Sequence, residues 1–190
     1  MKTFIASAML MASVSAANAS EMGADVNALK TEAVKVVMSF GGPLKQALGG
    51  AMKAGGPLAA IETCNVKAPA IAKAAADASG WSVGRTSLKL RNADNKADAW
   101  ELATLKEFDA RLAAGEKPGT IAKAEIVEEG GQKSFRFMKA IGTAPLCLNC
   151  HGGEIKPEVA AKLDGLYPHD QARGYKQGQI RGAFTLKKSL

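Results

Sequence analysis

The stretch Cys147-Leu148-Asn149-Cys150-His151 constrains this chain more than any other. Two thiols separated by two residues, with an imidazole directly after the second, form the attachment pattern of a c-type haem. The chemistry needs that spacing. Each thiol adds to one haem vinyl group, and two intervening residues let both sulfurs reach the same side of the porphyrin. The imidazole beside Cys150 is then carried under the iron as its proximal ligand. Two other chemistries use the same residues. Cys64, Cys147, Cys150 and either His151 or His169 make a tetrahedral zinc set, although adjacent Cys150 and His151 do not readily bind one ion. A redox dithiol of the thioredoxin sort has the same thiol spacing but leaves His151 unexplained.

The start of the chain bears on the compartment. Lys2 gives a positive start, residues 4–14 are apolar apart from Ser7 and Ser13, and Ala17-Asn18-Ala19 is a small-residue cleavage signature. Together these read as a secretory signal over residues 1–19, followed by a single domain over residues 20–190. A buried N-terminal helix is the alternative. The apolar run is too short to span a bilayer, which takes ~20 residues. No later run is longer, so the expectation is a soluble periplasmic protein with no stable membrane insertion after cleavage. Covalent haem attachment follows export, so the signal and the haem motif imply the same compartment independently. The formal net charge is +7. The lysines are scattered, without the dense basic block of a nucleic-acid binder. The charge serves solubility, with docking to acidic partner proteins as the alternative.

The chain holds three cysteines, an odd number for an exported protein. If Cys147 and Cys150 carry haem, Cys64 is a single thiol in an oxidising compartment, in need of burial or a ligand. Periodicity places it. Residues 21–40 read as an amphipathic helix ended by Gly41-Gly42, with Pro43 opening a second that Gly49-Gly50 weakens and Gly55-Gly56 closes. Residues 57–79 form an alanine-rich helix that Pro69 kinks or splits, with Ile61, Cys64, Ala68, Ile71 and Ala75 on one face. Residues 81–91 alternate as a half-buried strand. Residues 98–114 read as a helix capped by Asp98 and stopped at Gly115, with Trp100, Leu102, Leu105, Phe108 and Leu112 near one stripe. Residues 120–128 and 133–141 are strands joined through Gly130-Gly131, a hairpin signature. A short helix at 157–163, a polar loop at 167–179 and a last strand at 180–187 follow. The order predicts an α+β fold, an antiparallel sheet with helices packed on it.

The sixth position on the iron has several candidates. No methionine follows His151, so the usual arrangement of small cytochromes c, with a downstream methionine, does not apply. The glycines after the motif, Pro157 and the final strand argue against a four-helix cytochrome. Cys64, His169, Met52, Met138 or no residue at all are left. Cys64 reads equally as a small buried hydrophobe, His169 as an exposed loop residue, and the methionines as core. Arg85, Lys89 and Arg91 could pair with haem propionates or form a solvated face. Trp81, Phe135 and Phe137 could pack on the porphyrin or simply fill the core.

Several blocks resemble one family. They are Ala59-Ala60-Ile61-Glu62-Thr63-Cys64; Thr86 to Asn92 with Asp98-Ala99-Trp100-Glu101; Phe135-Arg136-Phe137-Met138-Lys139 leading into the haem motif and Gly152; and Ala172-Arg173-Gly174-Tyr175 with Gly178 and Arg181-Gly182-Ala183-Phe184. Together they resemble the exported c-type-haem domains of PAS-like fold, first described as a domain of unknown function. These occur alone in the periplasm and as sensor modules of membrane-bound signalling proteins. The resemblance implies one haem c attached through Cys147 and Cys150 and ligated by His151, with the thiolate of Cys64 opposite. Ala93, where a proline is common, and Gln179, where an aspartate is common, depart from the pattern.

The expected function is a periplasmic monohaem protein for redox or diatomic-gas sensing, or for low-potential electron transfer. Its partners would be a redox protein or a small gas. Thiolate favours ferric iron, so reduction should weaken the sulfur bond and let the thiol take up a proton. A plain electron shuttle with Cys64 unligated is the alternative. A haem enzyme is less favoured, because the sequence offers no evident distal acid–base pair.

Overall fold

The structure, a computed structural model, describes the backbone of residues 12–190 and side chains from residue 25 onward. Residues 1–11 of the expected signal segment lie outside the described residues, as do the side chains of the rest of it.

The first element, α1 (Ala12–Ser79), is two helical arms joined at Gly55 and Gly56, whose φ values of −152° and +66° leave the helix. A positive φ is where glycine is favoured, so Gly56 makes the joint. The expected stop at Gly41-Gly42 does not end the first arm, which also runs on through Gly49-Gly50, and Pro69 does not split the second. Packing overrides local preference here. Phe40 and Leu44 of the first arm are buried against Ala68 and Ala75 of the second, together with Phe184 from the sheet. Gly41 is part of that fit: a Cβ there would lie 3.0 Å from the Phe184 ring.

The remaining elements are β1 (Ser82–Thr86), α2 (Ala99–Ala113), β2 (Ala122–Glu129), β3 (Gln132–Gly142), α3 (Leu148–His151), α4 (Pro157–Leu166) and β4 (Ile180–Ser189). The strands form one antiparallel sheet in the order β1-β4-β3-β2. The β2–β3 hairpin turns on Gly130 and Gly131, at φ +59° and +78°, the backbone of a type I′ turn. At the start of α2, Asp98 and Glu101 form a reciprocal capping box.

The pleat of β3 sorts the core. Phe135 and Phe137 pack with Ala33, Val36, Val37, Trp81 and Leu186 beneath the first arm of α1. Met138 and Ala140 point the other way, to Leu105 and Phe108 of α2 and to Ile121 and Ala183. Helices thus cover both faces of the sheet. The fold is α+β and PAS-like, as expected. Leu102 leaves the expected stripe of α2 and is 40% exposed.

One difference from the sequence reading matters for the site. The strand expected over 81–91 ends at Thr86. A Cβ at Gly182 would stand 2.4 Å from the Thr86 carbonyl oxygen, so β4 crosses too close for ordinary pairing. The Ser87 hydroxyl reaches the carbonyls of Arg181 (2.8 Å) and Lys89 (3.0 Å), which turns the chain out of the ladder. Leu88 is exposed rather than core. Residues 87–91 become a strut running from the sheet toward the Cys150 turn, where Gln171 N–H donates to the Leu90 carbonyl at 2.7 Å.

Candidate functional site

The motif lies on a compact turn. Pro145–Cys147 is a 3₁₀ turn that runs directly into α3. Cys147 and Cys150 are three residues apart along this turn, so both sulfurs sit on one side. Both are half-exposed and free. Gly152 lets the chain leave: a Cβ there would lie 2.6 Å from the Leu148 carbonyl oxygen. The polar loop then closes on the turn from below. Gly174 N–H donates to the Gly152 carbonyl and Tyr175 N–H to the His151 carbonyl, each at 2.9 Å.

His151 is held on three sides. Its Nδ1 lies 2.8 Å from the Ala172 carbonyl oxygen. A carbonyl only accepts, so this contact puts the ring proton on Nδ1 and leaves the lone pair on Nε2. The Tyr175 ring meets the imidazole edge-on at 6.3 Å between centroids. The Arg181 Nε lies 3.1 Å from Nδ1, which as a donor cannot accept from it, and 3.4 Å from Nε2, which can; its guanidinium also donates to the Ser87 hydroxyl at 3.0 Å. Burial, with the nearby Arg181 and Arg91 cations, pushes the His151 pKa down to about 3. The ring is therefore neutral at any physiological pH.

Beneath it is a buried ion network. The Asp170 side chain is 1% exposed and meets the Arg91 Nε at 3.2 Å. Asp170 also accepts from the Ala172 N–H and the Arg173 Nε, both at 2.9 Å. Burial alone would raise the Asp170 pKa, but the hydrogen bonds from Arg173, Arg91 and Ala172 N–H hold it below the usual range. Arg91 in turn donates to the Cys150 carbonyl, and to the Ala172 carbonyl at 3.3 Å. The Cys150 turn and the loop of Asp170 and Ala172 thus converge on one guanidinium.

Cys64 comes to the same place from the second arm of α1. Ile61, one turn earlier, is buried with Val159 and Leu163 of α4, and Cys150, Ile155 and Tyr167 pack around them. Glu62 pairs with Lys162 across the same seam. Burial pushes the Cys64 thiol up, opposed by Arg85 and Arg91. Burial also raises Cys150, against the pull of Arg91, and the Cys64 thiol is near enough to raise it further. The second arm therefore brings Cys64 toward the turn that carries Cys150 and His151.

The other sixth-ligand candidates separate. Met138 is fully buried on the α2 face of the sheet, opposite to α1. Met52 lies in the first arm before the joint. His169 is exposed. Trp81, Phe135 and Phe137 fill the α1-side core. Arg91 and Arg85 are not part of a solvated face: the Arg91 side chain is 12% exposed, and the Arg85 guanidinium lies over the Phe40 ring at 5.7 Å. Among the described residues, no three His, Cys, Asp or Glu groups converge to hold a metal ion, so a zinc set has no cage. A redox dithiol needs a lowered thiol pKa, and Cys150 is raised. A groove of about 360 Å³ between the arms, lined by Pro43, Ala47, Gly50 and Lys67, contains none of these groups.

Sequence reasoning missed Asp170 and Arg181 as parts of the site. The closing blocks of the resemblance contain or adjoin them, but nothing in their spacing assigns a role. Gln179, one of the departures, accepts from Lys176 N–H at 2.8 Å and closes the turn there.

The family model for Tll0287-like proteins matches residues 2–189. The chain belongs to the Tll0287-like family. Among solved structures, that of the cyanobacterial heme-protein Tll0287 superposes on this Tll0287-like chain with a TM-score of 0.61. The alignment covers 87% of this chain and 94% of that one, at 22% identity, and establishes the fold. No curated protein sequence matches. Among the described residues of the Tll0287-like chain, no helix is long and apolar enough to cross a membrane.

Proposed function

We propose that the chain is an exported, periplasmic protein that carries one haem c and works in redox or diatomic-gas sensing or in low-potential electron transfer, not as an enzyme. Cys147 and Cys150 would attach the group, His151 would ligate on one side and Cys64 on the other. The observation that carries the reading is the convergence of Cys64, on the second arm of α1, with the turn bearing Cys150 and His151. The name of the matched structure, a heme-protein, supports it.

The donor set fits the group. Two free thiols stand one turn apart, and the neutral imidazole, its Nδ1 on Ala172, would offer Nε2 once Arg181 Nε, 3.4 Å from it, turns aside. Arg85, over the Phe40 ring, and Arg181, hydrogen-bonded to His151 and Ser87, face no carboxylate within ion-pair distance among the described residues and would suit those of a haem. When bound, the iron supplies a one-electron couple. The residues set its surroundings. Ile61, Val159 and Leu163 exclude water beside Cys150. Cys64 is pulled two ways, with burial favouring the thiol and the Arg85 and Arg91 cations favouring the thiolate. That balance suits a ligand that holds or releases a proton.

The raised Cys64 pKa also favours a second reading, an electron shuttle in which Cys64 stays a thiol and does not bind iron. A pyridine haemochrome assay on protein recovered from the periplasm tests the cofactor. Ferric absorption spectra of Cys64→Ala test the ligation. Loss of the low-spin spectrum is expected; an unchanged spectrum would leave the shuttle reading standing.

A further inference from the structure

The buried pair of Arg91 and Asp170 touches none of the proposed haem-binding groups directly except the backbone of Cys150. Yet every side-chain hydrogen bond it makes outside the pair ends within one residue of His151 or of Ala172, whose carbonyl holds the ring. Asp170 accepts the Ala172 N–H at 2.9 Å, and the same residue's carbonyl accepts from His151 Nδ1 at 2.8 Å. Arg91 shares that carbonyl at 3.3 Å and also holds the Cys150 carbonyl, one residue before the imidazole. The pair therefore fixes both ends of the His151 ring's support: the peptide that carries it and the oxygen that receives its proton.

We infer that Arg91 and Asp170 are positioning residues that set the ring orientation and Nδ1–H tautomer of His151, and through them its donor strength toward the iron. The inference rests on the haem reading above. Physically, a carbonyl that holds the ring proton makes the imidazole a better donor. Asp170 neutralises Arg91. Without it, the guanidinium turns wholly to the Ala172 and Cys150 carbonyls and competes with Nδ1–H for the Ala172 oxygen. The ring then loses its single orientation and donates less, which disfavours ferric iron.

Asp170→Asn, Arg91→Lys and Arg173→Gln separate this role from simple charge. Arg173 is the outer partner of Asp170, with its side chain 31% exposed. Asparagine keeps the shape of Asp170 and an oxygen for the Ala172 N–H. Lysine keeps the charge of Arg91 but not the fork that spans three acceptors. In Asp170→Asn, the reduced-to-oxidised ratio at a fixed potential should rise at least threefold, about 28 mV at 59 mV per tenfold. Its ferric EPR should show a second low-spin population. Arg91→Lys should show the same second population, and Arg173→Gln should show one population and less than a twofold change. A purely electrostatic effect would instead shift Asp170→Asn and Arg173→Gln in opposite senses with one population in each, and would overturn the inference. In haem-free protein, ¹⁵N shifts of His151 should report Nδ1–H in wild type and a tautomer mixture in Asp170→Asn. A single Nδ1–H form in both would overturn it as well. Wild-type protein that takes up no haem would instead remove the function reading on which the inference rests.

Discussion

Leu163→Ala tests whether the α1–α4 seam is what keeps Cys64 at the site. Leu163 is 0% exposed and lies with Ile61 and Val159 between the Cys64 arm and the turn bearing Cys150. Removing a buried leucine side chain costs about 3–5 kcal/mol, depending on how far the site can collapse. Three neighbours here, Cys150, Ile155 and Tyr167, are only partly buried and can shift inward, which places the cost near about 3 kcal/mol. At about 2–4 °C per kcal/mol for a chain of this size, Tm should fall by about 6–12 °C. The local effect should be larger than the global one. If the lost energy comes off the opening of this seam, the open population rises about a hundredfold, since 1.4 kcal/mol is tenfold. Labelling by a thiol reagent, located on Cys64 by peptide mapping, reads that opening directly. Leu105→Ala is the control. Leu105 is equally buried but lies under α2, on the opposite face of the sheet. It should lower Tm comparably and leave Cys64 labelling within a few-fold of wild type under native conditions. Equal Cys64 labelling in the two variants would refute the reasoning, because exposure would then track whole-chain unfolding rather than the seam.

Asp98→Ala removes the N-cap of α2 and one of two carboxylates on Arg136, which is 3% exposed. Glu101 still faces Arg136, so a loss of about 2 kcal/mol is expected by urea denaturation, at the upper end of cap deletions. Gly182→Ala drives a methyl into the Thr86 carbonyl and Ser87 and should destabilise by about 1–3 kcal/mol, with amide shifts in the NMR spectrum centred on residues 86–91. Acid should destabilise the protein through carboxylates held below their usual range, among them Glu32, Asp98 and Asp170. Lys188 and Trp81 hydrogen bonds lower Glu32. Burial would raise Asp98 and Asp170, but their arginine and backbone partners bring both below the usual range. The folded chain then holds these protons less tightly than the unfolded one, so their stabilisation is present above about pH 4 and is lost as pH falls through the folded values. Thermal melts from pH 5 to pH 2 should show a falling Tm, with a smaller slope in Asp170→Asn.

Much of the frame was legible in the sequence because it is written in period. The hairpin, the Asp98 cap, the two-faced pleat of β3 and the joint at Gly55-Gly56 all follow from local rules. Gly41-Gly42 and Pro69 misled because burial of Phe40, Leu44 and Ala68 between the arms outweighs their intrinsic cost. The strand over 81–91 was half right. Its alternation continues past Thr86, but Gly182 and the Ser87 hydroxyl end the ladder, and both effects belong to a strand almost a hundred residues later. For the site, Cys147, Cys150, His151 and Cys64 stand out by residue type alone. Asp170 and Arg181 do not, and Arg91 stood out only as a propionate partner, because aspartate and arginine are ordinary surface residues until the fold buries them together.

The joint at Gly55-Gly56 also fixes a ratio of lengths. At 1.5 Å per residue, Cys64 lies only about 12 Å along the second arm from Gly56, whereas Ser79, where that arm meets the sheet, lies about 35 Å away. A rotation of about 5° at the joint, which moves the thiol by about 1 Å, displaces the far end by about 3 Å on the same helical rise. Cys64 thus sits near the fulcrum of a lever whose long end leads into β1. Were the second arm to turn as a rigid rod about Gly56, a given shift at Cys64 would be about three times larger where the arm meets β1.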